Sequence, residues 1–287
     1  MKVVLFCGGK GMRLRDYSQQ IPKPMVGIGY RPILWHVMKY YAHFGHRDFI
    51  LCLGHQADAI KNYFLNYNEC ISNDFVLRPG MEREQIRLLN RDIADWTITF
   101  VDTGVETNIG GRLRAVRDHL AGEEIFLANY SDALTDLDLD VMEKDFRSRP
   151  DAVAGFLCVR PSTSFHLVTL DGDRRVRTIR EARRCDVWIN GGYFIMRSEI
   201  FDYLRPGEEL VVEPFQRLID QGRLSAYRHE GFWACMDTFK EKQQFDDMYA
   251  QDQAPWELWK SPPPAAARKA ARGRRPSAPD PTAARPG

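Results

Sequence analysis

Between residues 1 and 132 the chain alternates short apolar runs with stripes of helical spacing, and that alternation restricts the fold more than any other feature of the sequence. Val3-Val4-Leu5-Phe6-Cys7 is one run. Ile33, Leu34, Val37, Met38, Tyr41 and Phe44 then fall on one helical face that stops at Gly45, and Asp48 to Gly54 follows as a buried strand. Ala57 to Tyr67 reads as another helix, Thr97 to Asp102 as a strand, Gly111 to Leu120 as a helix, and Glu124 to Tyr130 as a strand ending in Ser131-Asp132. The pattern predicts an α/β fold, a mostly parallel twisted sheet with helices on both faces. Such sheets bind ligands at the carboxyl ends of their strands, where Gly8, Asp102 and Asp132 would emerge.

The first strand empties into Gly8, Gly9 and Gly11, then Arg13, then Lys23 between two prolines. Glycines after a first strand let the backbone approach a phosphate closely, and the two cations add fixed positive charge, so a polyphosphate is the natural guest. The spacing Gly8-Gly9-Lys10-Gly11 does not fit the dinucleotide fingerprint G-x-G-x-x-G, and no P-loop sequence is present.

Composition closes off several other classes. No segment approaches the ~18 uncharged apolar residues of a membrane helix, and the glycines come too early for a signal peptide, so a cytoplasmic protein is expected. Six cysteines stand far apart with no CxxC pair and no histidine cluster at metal-ligand spacing, which suits reduced thiols. The net charge of +1 hides two unlike parts: residues 261–287, rich in Pro, Ala and Arg, carry +5, and residues 1–260 carry −4. The tail has too few large apolar residues to offset ordering entropy and is predicted to be disordered, leaving a single folded domain over 1–260. The acidic balance of that domain argues against a nucleic-acid partner.

GGKGMRLRDYSQQIPKPMVGIG resembles the signature of the sugar-phosphate nucleotidyltransferases, GGxGTRL followed by PKPM. VDTG at 101–104, IGGRL at 109–113, YSDALTDLD at 130–138, INGGYF at 189–194, GFWACMDT at 231–238 and APWELW at 254–259 are similar, in the same order, to the glucose-1-phosphate cytidylyltransferases of that family. The resemblance implies a Rossmann-like, GT-A-like nucleotidyltransferase fold with a smaller acceptor-side β subdomain. It implies a reaction in which CTP and a sugar 1-phosphate give a CDP-sugar and pyrophosphate, in a homo-oligomer. By motif matching, Phe6, Gly8, Gly9, Lys10, Gly11, Met12 and Ser131 belong to the nucleotide site, Arg13 meets the departing pyrophosphate, and Lys23 meets the α-phosphate. Thr107, Gly111 and Arg112 read the cytosine and its ribose. Asp132 and Asp237 share a Mg²⁺, a hard cation suited to bridging phosphate oxygens.

Departures from the family pattern fall mostly on the acceptor side. The family's GDG is Ser131-Asp132-Ala133 here, and RFG is Ser164-Phe165-His166. Glu-Lys-Pro becomes Glu181-Ala182-Arg183, so the lysine expected to hold the acceptor's phosphate is missing. Arg180, Arg183, Arg184 and Arg160 are the candidate replacements; Arg180 and Arg184 share the face of Ala182 if that strand is regular. Asn190, Gly191 and Gly192 suit sugar hydroxyls or mark a bulge, and His166 and Glu181 are further acceptor candidates. The missing lysine leaves open a non-catalytic nucleotide- or sugar-nucleotide-binding homologue as the alternative to an enzyme.

Overall fold

The computed structural model describes residues 1–9, 21–79, 85–161 and 165–260. Lys10, Gly11, Met12, Arg13, Ser164 and the basic tail lie outside the described residues, as does the side chain of Arg183.

The expected α/β architecture is present. Seven strands form the central sheet: β1 (Lys2–Phe6), β2 (Asp48–Leu53), β3 (Thr97–Asp102), β4 (Ile125–Asn129), β5 (Ala154–Val159), β6 (Ile189–Arg197) and β7 (Leu224–His229). Their order across the sheet is β7-β5-β6-β4-β1-β2-β3. β6 alone runs against its neighbours β5 and β4, and every other pairing is parallel. The helices are α1 (Ile33–His43), α2 (Ala57–Leu65), α3 (Ile109–Ala115), α4 (Leu139–Arg147), α5 (Glu213–Asp220) and α6 (Phe239–Ala250).

The apolar runs are unbroken because both sheet faces are covered. Along β1, Val3 and Leu5 join one core with Leu34, Val37 and Met38 of α1, and Val4 and Phe6 join another with Leu113 of α3 and Phe215 of α5. All four β1 residues are fully or almost fully buried, so each face gains apolar burial at about 25 cal/mol per Å². α1 follows Pro32, whose φ of −69° suits a helix entry, and its end leads into Gly45 at φ +90°. The helix expected over Gly111–Leu120 is shorter and displaced. Asn108 caps α3 by accepting from the Gly111 N–H at 2.9 Å, α3 ends at Ala115, and a 3₁₀ turn, Arg117–Leu120, completes the segment.

Two small pairings decorate the edge where β1, β2, β3, β4 and β5 end. Ala133–Thr135 pairs antiparallel with Trp233–Cys235, and a hairpin of His166–Leu170 with Val176–Glu181 stands in the connection from β5 to β6. Among the described residues no helix is long and apolar enough to cross a membrane, and all six cysteines are free.

Candidate active site

The glycine loop leaves β1 beside the ends of β2 and β3, and one buried side chain joins all three. Arg112, 2% exposed, donates from Nη2 to the Gly8 carbonyl at 3.0 Å and from Nη1 to the Leu53 carbonyl at 3.0 Å and Thr103 Oγ1 at 2.6 Å. Its guanidinium therefore fixes the mouth of the site by holding backbone; the resemblance alone had suggested contact with the base. A β-carbon on Gly8 would stand 1.9 Å from Arg112 Nη1, so any larger residue would displace the guanidinium from these bonds.

These residues wall a cavity of about 380 Å³, within the range of small-ligand sites. Phe6, Gly8, Gly9, Thr107, Arg112 and Asp132 all line it. Tyr130, Asn108 and Glu209 line it too, and sequence reasoning passed over them. Tyr130 directly precedes the Ser131-Asp132 motif, and burial raises its phenol pKa. A second cavity of about 770 Å³, bordered by Trp35 and Trp259, shares none of these residues; Asp132 lines the first cavity, and Lys23 and Asp237 line neither.

Asp132 and Asp237 are 105 residues apart in sequence and meet through the short strand pair. Cys235 lies opposite Ala133, and the Met236 N–H donates to the Asp132 carbonyl at 2.8 Å, so Asp237 arrives beside Asp132. Asp237 is steadied from behind: Glu241 Oε2 accepts from the N–H groups of Asp237 and Thr238, both at 2.8 Å, as half of the capping box that starts α6. Asp132 follows Ser131, a fully buried non-glycine residue at φ +66° whose N–H donates to Asn129 Oδ1 at 2.6 Å. The left-handed turn redirects the chain at the end of β4.

Lys23 completes the cluster. Its Nζ stands 2.6 Å from Asp132 Oδ2 and 2.5 Å from Asp237 Oδ1. Burial pulls the lysine pKa down, but the two carboxylates, Asp132 foremost, outweigh it and hold Lys23 charged. Burial raises the Asp132 pKa, and the attraction of Lys23 offsets this only in part while Asp237 adds to it. A cation already bridges both aspartates, so the oxygen pair fits a hard metal ion. Among the described residues no group of three or more His, Cys, Asp or Glu side chains forms a metal site, and a metal here would draw its other ligands from phosphate and water.

The acceptor candidates fall in two groups. Asn190, Gly191 and Gly192 sit at a bulge in β6, where the pairing with β5 slips between Phe156 and Cys158. Gly192 has φ +76°, and Asn190 Oδ1 accepts from its N–H at 2.9 Å, so the asparagine shapes this bulge. Trp233 Nε1 donates to the Gly191 carbonyl at 2.9 Å. His166, Arg180, Glu181 and Arg184 belong to the hairpin and its exit, and neither group lines the cavity. His166 pairs across strands with Glu181, and Arg184 Nε lies 3.2 Å from Glu181 Oε2. The strand is not regular through residue 184: it ends at Glu181, and Ala182–Arg184 is a 3₁₀ turn with Ala182 buried. The shared face expected for Arg180, Ala182 and Arg184 is therefore lost. Arg160, just past the end of β5, stacks 4.7 Å from the Trp188 ring and donates to the Cys185 carbonyl at 2.6 Å.

The family model described as nucleotidyl transferase matches residues 2–240. The chain is 36% identical over 261 residues to the probable glucose-1-phosphate cytidylyltransferase of Bacillus subtilis (strain 168), spanning 90% of this chain and 100% of that protein. It is 34% identical to the glucose-1-phosphate cytidylyltransferase of Salmonella typhi over the same shares. Among solved structures, HddC from Yersinia pseudotuberculosis superposes with a TM-score of 0.61 at 20% identity, covering 86% of this chain and 99% of that one. UDP-glucose pyrophosphorylase complexed with UDP-glucose superposes with a TM-score of 0.62 at 14% identity, covering 88% and 98%. At these identities the superpositions show the fold.

Proposed function

This chain belongs to the sugar-phosphate nucleotidyltransferases and is an enzyme of that class, and from that premise we propose that it transfers CMP from CTP to a sugar 1-phosphate, releasing pyrophosphate. The observation that carries the reading is the convergence of Lys23 on Asp132 and Asp237, at 2.6 and 2.5 Å, with Asp132 itself lining the cavity beside Gly8 and Gly9. The names of the two relatives above favour CTP and glucose 1-phosphate.

On this reading the cavity takes the nucleoside and the glycine loop lies against the phosphates. Lys23 turns to the α-phosphate, where charge builds as the acceptor oxygen attacks in line. Asp132 and Asp237 would hold a Mg²⁺, which supplies charge neutralisation and orientation to the triphosphate. The acceptor pocket is proposed to have diverged, with Arg160 as the phosphate's cation in place of the missing lysine. Arg160 follows a strand whose end lies on the same edge as Asp132, is 35% exposed and holds Asp186 and Glu230 only loosely at 4.0 Å, whereas Arg184 is 75% exposed and pairs with Glu181 at 3.2 Å. A cytoplasmic homo-oligomer belongs to the same proposal, supported by exposed Val168, Val176 and Ile179 on the hairpin. Light scattering tests the assembly.

The deciding experiment measures pyrophosphate release with CTP, UTP, dTTP and GTP, each crossed with glucose 1-phosphate and a panel of other sugar 1-phosphates, with and without excess EDTA. CTP is expected to lead, and EDTA to abolish release. Equal use of UTP or dTTP would remove the cytidylyl assignment, and full activity in EDTA the metal.

A further inference from the structure

Lys23 occupies the place that an ion shared by Asp132 and Asp237 would need. Its ammonium lies at charge-assisted bonding distance from one oxygen of each, and the lysine side chain is only 14% exposed. A divalent cation cannot bridge those two oxygens while the ammonium is there. The ammonium cannot simply leave either, because a buried charge stripped of its partners is strongly disfavoured. It needs a second anion within reach.

The backbone around Lys23 is built to stay while the side chain swings. Pro22 and Pro24 restrict the flanking torsions, and the Lys23–Met25 3₁₀ turn is closed by Val26 N–H to Lys23 O at 3.1 Å and Met25 N–H to Pro22 O at 2.8 Å. Lys23 thus has a fixed root and a flexible four-carbon arm. A triphosphate entering along the glycine loop offers the arm its second anion. In the exchange that follows, a divalent ion takes the ammonium's place between the same two carboxylate oxygens, so neither carboxylate is left without the cation that Lys23 withdraws.

We infer that Lys23 is a counter-ion gate: without nucleotide it holds Asp132 and Asp237 together and closes their site to divalent cations, and the pair becomes free to take one only when a triphosphate has drawn the ammonium away. The inference rests on the proposed function in taking a nucleoside triphosphate as the ligand, and it deepens that reading by making metal affinity conditional on nucleotide.

Mn²⁺ binding to the full chain without nucleotide, read from the free-ion EPR signal, tests it in wild type, Lys23→Met, Lys23→Arg and Lys23→Met/Asp237→Asn. Wild type and Lys23→Arg are expected to bind weakly, Lys23→Met about tenfold or more tightly, and the double variant to lose that gain. Mn²⁺ should also raise the thermal midpoint of Lys23→Met and leave that of wild type unchanged. Lys23→Gln, which keeps a polar group between the carboxylates, serves the same comparison if Lys23→Met does not fold. The gate is overturned if neither neutral variant binds Mn²⁺ more tightly than wild type, or if the gain survives Asp237→Asn. A wild type that releases no pyrophosphate from any substrate pair removes the proposed function and leaves the Mn²⁺ comparison standing; an active enzyme whose neutral variants show no gain removes only the gate.

Discussion

Arg112 Nη2 donates to the carbonyl of Gly8 at 3.0 Å, joining α3 to the end of β1 across 104 residues of sequence. The same guanidinium holds the ends of β2 and β3, so Gly8, where the glycine loop leaves β1, is located by one buried cation. Arg112→Ala is expected to cost about 3 kcal/mol, because several buried acceptors lose their donor together. Gly8→Ala should expel the same guanidinium and cost a similar amount. The double variant should therefore cost clearly less than the two singles added. Urea unfolding of all four proteins checks this, and strict additivity would show that the two residues act apart.

Asp132→Asn and Asp237→Asn should each remove most pyrophosphate release while the circular dichroism spectrum is unchanged. The pair combined should lose little more than the worse single variant, since groups serving one ion act as a unit. Independent, multiplying losses would separate their roles.

Ser131 stands where a glycine would carry no steric penalty. A left-handed conformation costs an ordinary residue about 1–2 kcal/mol, and its buried hydroxyl gains only the weak donation from Cys7 Sγ at 3.4 Å in return. Ser131→Gly is expected to be neutral or mildly stabilising, and Ser131→Val to destabilise by about 2 kcal/mol or more and to depress activity by misaiming Asp132. A loss above about 1 kcal/mol in Ser131→Gly would make the hydroxyl the more important feature.

Arg160→Ala should raise the acceptor KM about tenfold with little change in that for CTP, as expected for one lost charge-assisted contact. Arg184→Ala should change neither. If Arg160→Ala leaves the acceptor KM untouched, the replacement cation lies elsewhere on the connection from β5 to β6.

His36 is buried and bonded as a neutral imidazole, with Nε2 facing the Ile28 carbonyl at 3.1 Å and Nδ1 accepting from Trp256 Nε1 at 3.3 Å. Burial pushes its pKa down to about 4, and burial does the same to His46. Both therefore take up their proton more readily when unfolded. Their contribution to stability is complete above about pH 6.5 and is lost as pH falls towards about 4, amounting to about 2 kcal/mol each between pH 7 and 5. Unfolding free energies that do not fall over that interval would contradict these environments.

The sheet was legible because burial on both faces leaves β1, β2 and β4 as unbroken apolar runs, and α1 because one stripe closes at a glycine. The meeting of Asp132 with Asp237 was legible only through the resemblance of their motifs. The strands that join them are three residues each, too short for a period to register. The inward turn of Arg112 was hidden for another reason: nothing local to its helix shows that the carbonyls of Gly8 and Leu53 and the Thr103 hydroxyl gather around its guanidinium. At Ala182 the assumption of a regular strand failed, because the turn that ends it carries no glycine or proline to announce it.

β6 runs against β5, so the chain leaves the sheet after Val159 and re-enters at Ile189 on the same edge. Arg160, proposed to meet the acceptor phosphate, thus opens one continuous excursion with neighbouring ends, which runs on through the hairpin to Trp188. Such a segment can drift, lengthen or be exchanged whole while the strands on either side keep their register. A change of length between Val159 and Ile189 therefore leaves Gly8, Arg112 and Asp132 where they stand, because each is held by strands and helices outside that interval.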